Sequence, residues 1–509
     1  MNAARRPRRS AGALLLGASS AGLLLGAPLL GRAAAQDRPA DALPKRPEEL
    51  AFAPLAFELP DPGKLRHVLP SGIPCYVSPN RSLPLVKLSF TFRGGRYLDA
   101  PGAEGVAGAM GSMLRRGGTK THAPTDFDDA LDFLAANVGA GTSEYRTEAS
   151  LDVLTRNLEQ ALPLFVEMLR APRFDAERLR LYKQEVLEAL KQRNDDAGSI
   201  LGREWSALMY GPTHFKGRQP TKASVEAIDE AALRAFHARV VHPGNLVIGV
   251  TGDVDPKEIT ARLEAALAGW AKGERVPDPP AEAAQPAPGV YRVEKDIPQG
   301  KVYIGHRGVQ RDHPDAIALR VLSEILGSGG FTSRITKRVR SDEGLAYDAH
   351  AVVIPGLYFP GEFRAAYQSK SRTVALAAKL VLEEVAKVRA EPVTAQELET
   401  AKGAIIEGFP QTFGSPAATV GLLVEDELTG RSFDYYRTYR DKVRALTAAD
   451  LLRVAKEHLH PEKMAILVVG KWEEIAPGDL EGRASMKDLF EGKATVLPLR
   501  DPLTLEPLK

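Results

Sequence analysis

Residues 237–259 read HARVVHPGNLVIGVTGDVDPKEI, and residues 455–475 read AKEHLHPEKMAILVVGKWEEI. In both stretches a helix leads to a His-Pro pair, and an apolar segment typical of a buried strand then ends in glycine. A helix with periodic apolar residues, opened by a capping residue, precedes each His-Pro pair. The same order of elements over about 20 residues predicts that the chain contains an internal duplication.

Strands mix with longer helices in each half of the chain. LVKLSFTFRGG and KVYIGHRGV alternate as half-buried strands do, whereas 148–172, 175–196 and 316–328 have the apolar spacing of long helices. The face of the first of these helices carries Leu154, Leu158, Leu162, Phe165 and Leu169. The sequence therefore predicts an α+β fold of two similar, duplicated domains, each a largely antiparallel sheet packed with helices.

A proline-rich stretch, VPDPPAEAAQPAPG at residues 276–289, divides the chain into these halves. It has neither helical nor strand periodicity, so we interpret it as a semi-rigid linker. We expect an N-terminal domain over 64–275 and a C-terminal domain over 290–475. An N-terminal linker or arm at 36–63 and a C-terminal tail at 476–509 complete the expected organisation.

The first 35 residues have the three parts of a secretory signal peptide. A basic start, MNAARRPRRS, is followed by an apolar stretch rich in Gly and Ala, and an A-x-A site lies at residues 33–35. We expect cleavage near Ala35 and an exported, periplasmic protein. The alternative is a retained segment that anchors the chain to the membrane.

Composition excludes several other classes of protein. The 509 residues carry a formal net charge of +2, which gives no reason to expect nucleic acid or an acidic membrane surface as a partner. The single cysteine, Cys75, excludes an internal disulfide framework. Because it lies in the strand-like segment IPCYVS, we expect it to be a small core residue.

A search for known chemical motifs gives no active site. None of the ten histidines has another histidine four residues away, the spacing with which a helix holds zinc ligands, and neither H-E-x-x-H nor H-x-x-E-H is present. His237 and His242 are five residues apart, which places them on different helix faces. G-x-S-x-G, the P-loop and a strand–G-x-G-x-x-G–helix unit are also missing from the sequence. We therefore predict no metal site in this chain.

The stretch GVAGAMGSMLRRGGT, residues 105–119, is a helix unusually rich in glycine. Each interior glycine costs about 1 kcal/mol relative to alanine. Such a helix usually brings its backbone close to another part of the molecule. Taken with the duplication and the long helices, this stretch resembles the zinc helix of the pitrilysin/insulinase family of inverted zinc peptidases, which includes the mitochondrial processing peptidase subunits.

The resemblance extends from about residue 65 to 472 and implies that the zinc site is degenerate. Family members typically show G-h-A-H-x-x-E-H-M-h-x-x-G-T, where h is apolar. On alignment, Gly108 and Ser112 replace the two histidine ligands, and Gly111 replaces the glutamate base. The family's third ligand aligns with Glu188, which is either a relic or a plain solvated carboxylate. A catalytic zinc needs three protein ligands, so the resemblance implies a chain that is inactive alone.

The second half resembles the family more completely, in GSGGFTSRITKRVRSDEGLAY at 327–347. In bacterial two-subunit members, the chain without zinc contributes an Arg and a Tyr seven residues apart, and Arg340 and Tyr347 have that spacing. The resemblance implies that both contact the peptide, and that the loop glycines help to handle the substrate. These loop glycines are Gly327, Gly329 and Gly330. The alternative is that Arg340 pairs with Asp342 or Glu343 and that Tyr347 is a core aromatic.

The resulting hypothesis is a non-catalytic subunit of an exported, heterodimeric zinc peptidase. The partner would be an H-x-x-E-H homologue that holds the zinc, with unfolded peptides as substrates, and this chain would bind no cofactor. One alternative is a peptide-binding or structural subunit without a proteolytic role, like the related core subunits of the respiratory complex. Another is a self-sufficient peptidase, against which the lack of another ligand cluster in the sequence argues.

Overall fold

The computed structural model describes Arg46 and residues 57–281 and 285–508. Residues Phe57–Lys509 form one compact unit. The predicted signal peptide and most of the predicted arm lie outside the described residues. Among the residues that are described, no helix combines the length and the apolar character needed to cross a membrane.

The first sheet has six strands in the order β1-β2-β6-β3-β5-β4. Its strands are β1 (Arg66–Val68), β2 (Pro74–Pro79), β3 (Leu85–Arg93), β4 (Asn137–Thr142), β5 (Arg146–Leu154) and β6 (Leu246–Gly252). Only the β2–β6 pair is parallel within this sheet, and the other pairs are antiparallel. Cys75 on β2 is fully buried, as expected for a core residue.

The second sheet has the order β12-β7-β11-β8-β10-β9; its last five strands repeat the topology of the first sheet, whereas the edge strand β12 comes from the C-terminal segment. Its strands are β7 (Gly289–Glu294), β8 (Gln299–Arg307), β9 (Ala346–Ile354), β10 (Glu362–Lys370), β11 (Ala465–Gly470) and β12 (Ala494–Val496). Each His-Pro pair leads through a short 3-10 turn into the corresponding strand, β6 or β11. The predicted α+β fold of two similar domains is confirmed.

Helices connect and cover the strands. In the first half they are α1 (Pro62–Leu65), α2 (Val106–Arg116), α3 (Pro124–Phe133), α4 (Leu158–Arg170), α5 (Ala176–Lys191), α6 (Ala197–Tyr210), α7 (Lys222–Glu226), α8 (Glu230–Val240) and α9 (Pro256–Leu267). In the second half they are α10 (Ala316–Ser323), α11 (Val374–Ala390), α12 (Ala395–Gly408), α13 (Pro416–Thr429), α14 (Asp434–Ala445), α15 (Ala448–His458) and α16 (Trp472–Ile475). Two π-helical segments, Glu324–Ser328 and Thr336–Asp342, follow α10.

The helix predicted over residues 148–172 is wrong in its first part, which is the strand β5. Ala149, Leu151 and Val153 are buried at a period of two, and β5 lies between β3 and β4 in the sheet. Alternation with polar residues is the signal of a strand, and the leucines that continue into α4 concealed it. Helix α4 begins only at Leu158.

The two halves exchange helices across their sheets. Helix α6, from the first half, packs Trp205 against Leu467 and Val469 of β11 in the second sheet. Helix α13, from the second half, packs Val420 and Val424 on the first sheet. Each sheet therefore has its own helices on one face and a helix of the other half on the opposite face, and apolar burial joins the two halves.

The C-terminal segment contributes to both halves. Strand β12 pairs in parallel with β7, so residues beyond 475 extend the second sheet. Further on, the carbonyl of Leu503 accepts a hydrogen bond from the Lys222 amide at 2.8 Å. The carbonyl of Arg500 accepts one from Asn194, also at 2.8 Å. These contacts hold the last residues against the first half.

Candidate functional site

Helix α2, which the family uses to hold zinc, lies with its backbone against the edge strand β4. A Cβ atom built on Gly111 would lie 2.5 Å from Oγ1 of Thr142 and 2.6 Å from its backbone nitrogen. Real Cβ atoms do not approach other atoms this closely, because such distances fall well inside van der Waals contact. The glycine therefore serves close helix–strand packing, and the position that corresponds to the catalytic base accepts no side chain.

Gly108, the position aligned with the first zinc ligand, has space for a side chain, unlike Gly111. A Cβ on Gly108 would meet only the hydroxyl of Tyr182, at 3.5 Å, which is ordinary contact. Tyr182 comes from α5, and burial raises the pKa of its phenol. Gly108 and Tyr182 line a cavity of about 190 Å³ at the start of α2. The space next to Gly108, the position aligned with the first ligand, thus holds the phenol of Tyr182.

Glu188, at the third ligand position, is exposed on α5 and pairs with Lys191 of the same helix at 2.6 Å. The carboxylate that does face α2 is Glu185, which accepts two 2.7 Å hydrogen bonds from Arg116. No sequence pattern singles out Glu185, because its partner is 69 residues away in the chain. As an exposed ion pair it contributes little to stability.

One group of described side chains has the donor types of a metal site, namely His313, Asp315 and His458. Sequence reasoning missed it because His458 is 143 residues from Asp315. However, Arg453 donates to both carboxylate oxygens of Asp315 and, with His458, holds its pKa at about 2. Nδ1 of His313 already accepts the Asp315 amide. The group is therefore an ion-pair network that joins the start of α10 to α15.

Arg340 and Tyr347 come together at the junction between a π-helical segment and β9. Gly344 follows the segment with a φ of +63°, a left-handed conformation that suits glycine and reverses the chain. The guanidinium carbon of Arg340 then lies 4.8 Å from the ring centroid of Tyr347. It also lies 4.5 Å from the ring centroid of Phe331, which precedes the segment. We call these three residues the aromatic–arginine stack.

The stack is turned towards solvent. Tyr347 is 85% exposed and Phe331 is 67% exposed, whereas an ordinary core aromatic is buried. Within the described part of the chain, Arg340 has no carboxylate within 4.0 Å, and Glu343 pairs with Arg483 at 2.7 Å instead. The alternative of an Arg340 surface ion pair and a core tyrosine is therefore wrong. Phe331 was not identified from the sequence, since nothing in its spacing linked it to Arg340.

Buried polar contacts fix the segment that carries Arg340. The Ser333 hydroxyl lies 2.9 Å from Oγ1 of Thr336, and the Thr336 hydroxyl donates to the Ala349 carbonyl on β9 at 2.7 Å. Arg334 makes a two-pronged ion pair with Glu397 of α12, at 2.6 and 2.9 Å. This guanidinium holds the pKa of Glu397 at about 2. The Ser333–Arg334 pair of the motif thus has a structural role.

The glycines of the 327–330 stretch have three different surroundings. A Cβ on Gly327 would lie 2.2 Å from the Ala351 nitrogen, so its π-helical segment packs on β9 as α2 packs on β4. A Cβ on Gly329 would lie 2.4 Å from the Glu324 carbonyl oxygen, at the end of that segment. Gly330 has a φ of +61° and open space around it. Gly330 therefore sets the turn that presents Phe331.

An open groove runs beside β4, the outermost strand of the first sheet. Its volume is about 820 Å³, and it is bounded by β3, β4, β5 and α13. Gly139 and Gly141 keep the β4 side of the groove free of bulk. On the other side, Arg146 pairs with Glu148 at 2.6 Å and with Glu425 of α13. Because the inner strands β3 and β5 contribute to its lining, the groove lies over the face of the sheet that is turned to α13 and reaches the edge strand β4.

The two sheets, helix α2 with Gly108 and Ser112 at the aligned ligand positions, and the exposed Arg–Tyr pair define a metallopeptidase-type fold. Residues 227–405 match the family described as the peptidase M16 inactive domain. This part of the chain is therefore an M16-type domain, and the resemblance to the pitrilysin/insulinase peptidases inferred from the sequence is confirmed.

Individual relatives agree with this assignment. A Helicobacter pylori protein named non-peptidase homolog YmxG is 24% identical over 402 residues, which are 78% of this chain and 91% of that protein. An uncharacterized zinc protease from Mycobacterium leprae is 28% identical over 306 residues, 57% of this chain and 66% of that protein. A crystal structure of a peptidase M16 inactive domain from Pseudomonas fluorescens matches with a TM-score of 0.72 and 26% identity, over 80% of this chain and 97% of that chain.

Proposed function

We propose that this chain is the non-catalytic subunit of a heterodimeric zinc peptidase, and that Arg340 and Tyr347 act on peptides held in the partner's cleft. The partner carries the H-x-x-E-H motif and supplies the zinc, the base and the water. The observation that carries the proposal is the solvent-facing stack of Arg340 on Tyr347 in a chain whose own zinc helix has no ligands.

The chemistry of the two side chains fits this role. A guanidinium donates several hydrogen bonds in a fixed plane to a carbonyl, and a phenol can donate to a developing oxyanion. Stacking between two rings restricts the Arg340 plane before substrate binds, so less conformational freedom is lost on binding. One such donor typically contributes about 3 kcal/mol to transition-state stabilisation.

Peptide capture at a sheet edge supports the same role. We propose that unfolded peptides pair as an added strand with β4, the outer strand beside the 820 Å³ groove. Main-chain hydrogen bonds would give affinity with little dependence on sequence. The small residues of β4, such as Gly139 and Gly141, would leave room over the sheet face for side chains of the bound peptide.

Export is a separate part of the proposal. The basic start, the apolar stretch and the A-x-A site of residues 1–35 support a periplasmic location with cleavage near Ala35. Mass spectrometry of the N-terminus from the periplasmic fraction tests it. A mature chain that begins at residue 36 is expected, and an uncleaved chain in the membrane fraction would favour a retained anchor.

The experiment that tests the function is hydrolysis of a quenched fluorescent peptide. The mature chain is measured alone and mixed with an H-x-x-E-H homologue from the same genome, and Arg340→Ala is measured in parallel. We expect no activity from the chain alone, activation of the partner by the mixture, and loss of activation in the variant. The matched control is Arg437→Ala, which removes another arginine stacked on an aromatic ring, 5.5 Å from Phe433.

Three outcomes contradict parts of the proposal. Chelator-sensitive cleavage by the chain alone would place a zinc site in it after all. A partner that works equally well without this chain would favour a peptide-binding or structural subunit. Equal losses in Arg340→Ala and Arg437→Ala would assign the effect to the fold instead of to the stack.

A further inference from the structure

We propose that Phe331 is a specificity-determining residue, and that it selects peptides with a large apolar or aromatic side chain next to the carbonyl bound by Arg340. The inference rests on the proposed function of Arg340. Phe331 is 67% exposed, and its ring centroid lies 4.5 Å from the Arg340 guanidinium carbon. Exposure of a phenylalanine at this level leaves most of its apolar surface available to a ligand.

The backbone around Phe331 presents its ring outward. Gly330, with a φ of +61°, is the first residue of the short 3-10 turn Gly330–Thr332. The Thr332 hydroxyl donates to the Gly329 carbonyl at 2.9 Å, and the Ser333 hydroxyl to the Gly330 carbonyl at 2.7 Å. These hydrogen bonds fix the turn on both sides of the ring, so a peptide meets a preorganised aromatic surface.

Phe331 also stands at the edge of a second open cleft, of about 790 Å³, between the π-helical segments, α11 and α12. Five acidic and four basic side chains line this cleft, and some of them pair, as in Arg334–Glu397 at 2.6 Å and Lys387–Glu384 at 2.8 Å. Because the two signs nearly balance, the cleft has little net attraction for a charged peptide side chain. The Phe331 ring is therefore the main apolar contact offered at its mouth.

The distances suit a peptide whose carbonyl is bound to Arg340. An extended peptide advances about 3.3 Å per residue, and successive side chains point to opposite faces. A side chain beside the bound carbonyl therefore reaches a ring that lies 4.5 Å from the guanidinium carbon. An aromatic side chain there would stack on Phe331, and an aliphatic one would bury its methyl groups against the ring.

The test compares peptides that differ only at the residue beside the scissile carbonyl, with Phe, Leu, Ala or Gly there. Each is assayed with the partner plus wild type, Phe331→Ala or Phe331→Leu. We expect kcat/KM for the Phe and Leu peptides to fall about tenfold in Phe331→Ala, with the Ala and Gly peptides changed less than twofold. Phe331→Leu should recover much of the preference because it restores apolar surface.

The matched control is Phe133→Ala, which removes an aromatic ring that is 87% exposed at the end of α3 in the other half. It should change no peptide preference. A uniform loss over all four peptides in Phe331→Ala would overturn the inference, because it would mean that the ring only positions Arg340. Unchanged kinetics for every peptide would overturn it as well.

A binding measurement separates this inference from the proposed function. Anisotropy of labelled, non-cleavable versions of the four peptides is measured with this chain alone. Tighter binding of the Phe and Leu peptides that is lost in Phe331→Ala would support the inference even if the chain activates no partner. Equal binding of all four peptides by wild type, together with no partner activation, would overturn both.

Discussion

Gly111 of α2 lies so close to Thr142 of β4 that a Cβ atom on the glycine would stand 2.6 Å from the threonine's backbone nitrogen. The family places its catalytic base at this helix position. In this chain the helix has instead settled against the edge strand, and the contact needs a glycine. The position that aligns with the base is therefore one at which the packing of this helix requires glycine.

The first prediction follows from this contact. Gly111→Ala should lower the free energy of unfolding by about 1–3 kcal/mol, because overpacking forces the helix away from β4. Gly108→Ala is the control, since its Cβ would meet only the Tyr182 hydroxyl at 3.5 Å. It should be neutral or stabilise the protein by up to about 1 kcal/mol through helix propensity. Urea unfolding measures both, and equal effects would refute the packing argument.

The second prediction separates the Tyr347 hydroxyl from its ring. Tyr347→Phe should keep the stack on Arg340 but lower partner-dependent kcat by about 10²-fold, because an oxyanion donor is lost. Tyr347→Ala should lower it further by releasing the guanidinium. Since Tyr347 is 85% exposed, both variants should melt within a few degrees of wild type. Full activity in Tyr347→Phe would mean that the hydroxyl takes no part.

The third prediction concerns acid stability. Arg334 holds the pKa of Glu397 at about 2, below its usual value of 4.5. The ion pair therefore stabilises the fold above about pH 4.5, and this contribution is lost as the pH falls towards 2. Glu397→Gln should cost about 1–3 kcal/mol at pH 6 and much less at pH 2. Urea unfolding at the two pH values tests it, and an equal cost at both would contradict the assignment.

The fourth prediction concerns Asp426, a carboxyl group whose ionised form destabilises the fold. Burial raises the pKa of Asp426 to about 6, although Tyr436 and Arg431 oppose the shift. Protonated Asp426 favours the folded state, so this contribution is present below about pH 4 and is lost as the pH rises to 6. Asp426→Asn should therefore stabilise the protein by about 1–3 kcal/mol at pH 7. The Asn oxygen can still accept from the Tyr436 hydroxyl, as Asp426 does at 3.2 Å.

The control for this prediction is the same substitution measured at pH 4, where wild type and Asp426→Asn should have nearly equal unfolding free energies. A variant that is less stable at pH 7 would show that the carboxylate is favourably paired in the fold. Calorimetry at pH 4 and pH 7 distinguishes these outcomes.

Much of the fold could be predicted from local patterns. The His-Pro repeats before β6 and β11 gave the duplication, and alternating residues gave β3 and β8. The strand β5 was missed because its alternating residues continue directly into the leucines of α4. The spacing of apolar residues does not separate a strand from a helix where the two follow one another directly, because the strand period of two and the helical period of 3.6 then overlap.

The sequence by itself determined the duplicated α+β architecture and predicted the replacement of the zinc ligands, since both inferences depend on residue identity and order. Only the tertiary structure decided that Gly111 is required by β4, that Tyr347 faces solvent and that Phe331 joins Arg340. It also brought His458 to Asp315. Each of these features depends on a contact or an exposure set by segments that are far apart in the chain or separated by a turn. Such contacts and exposures are established only when the helices and sheets pack together.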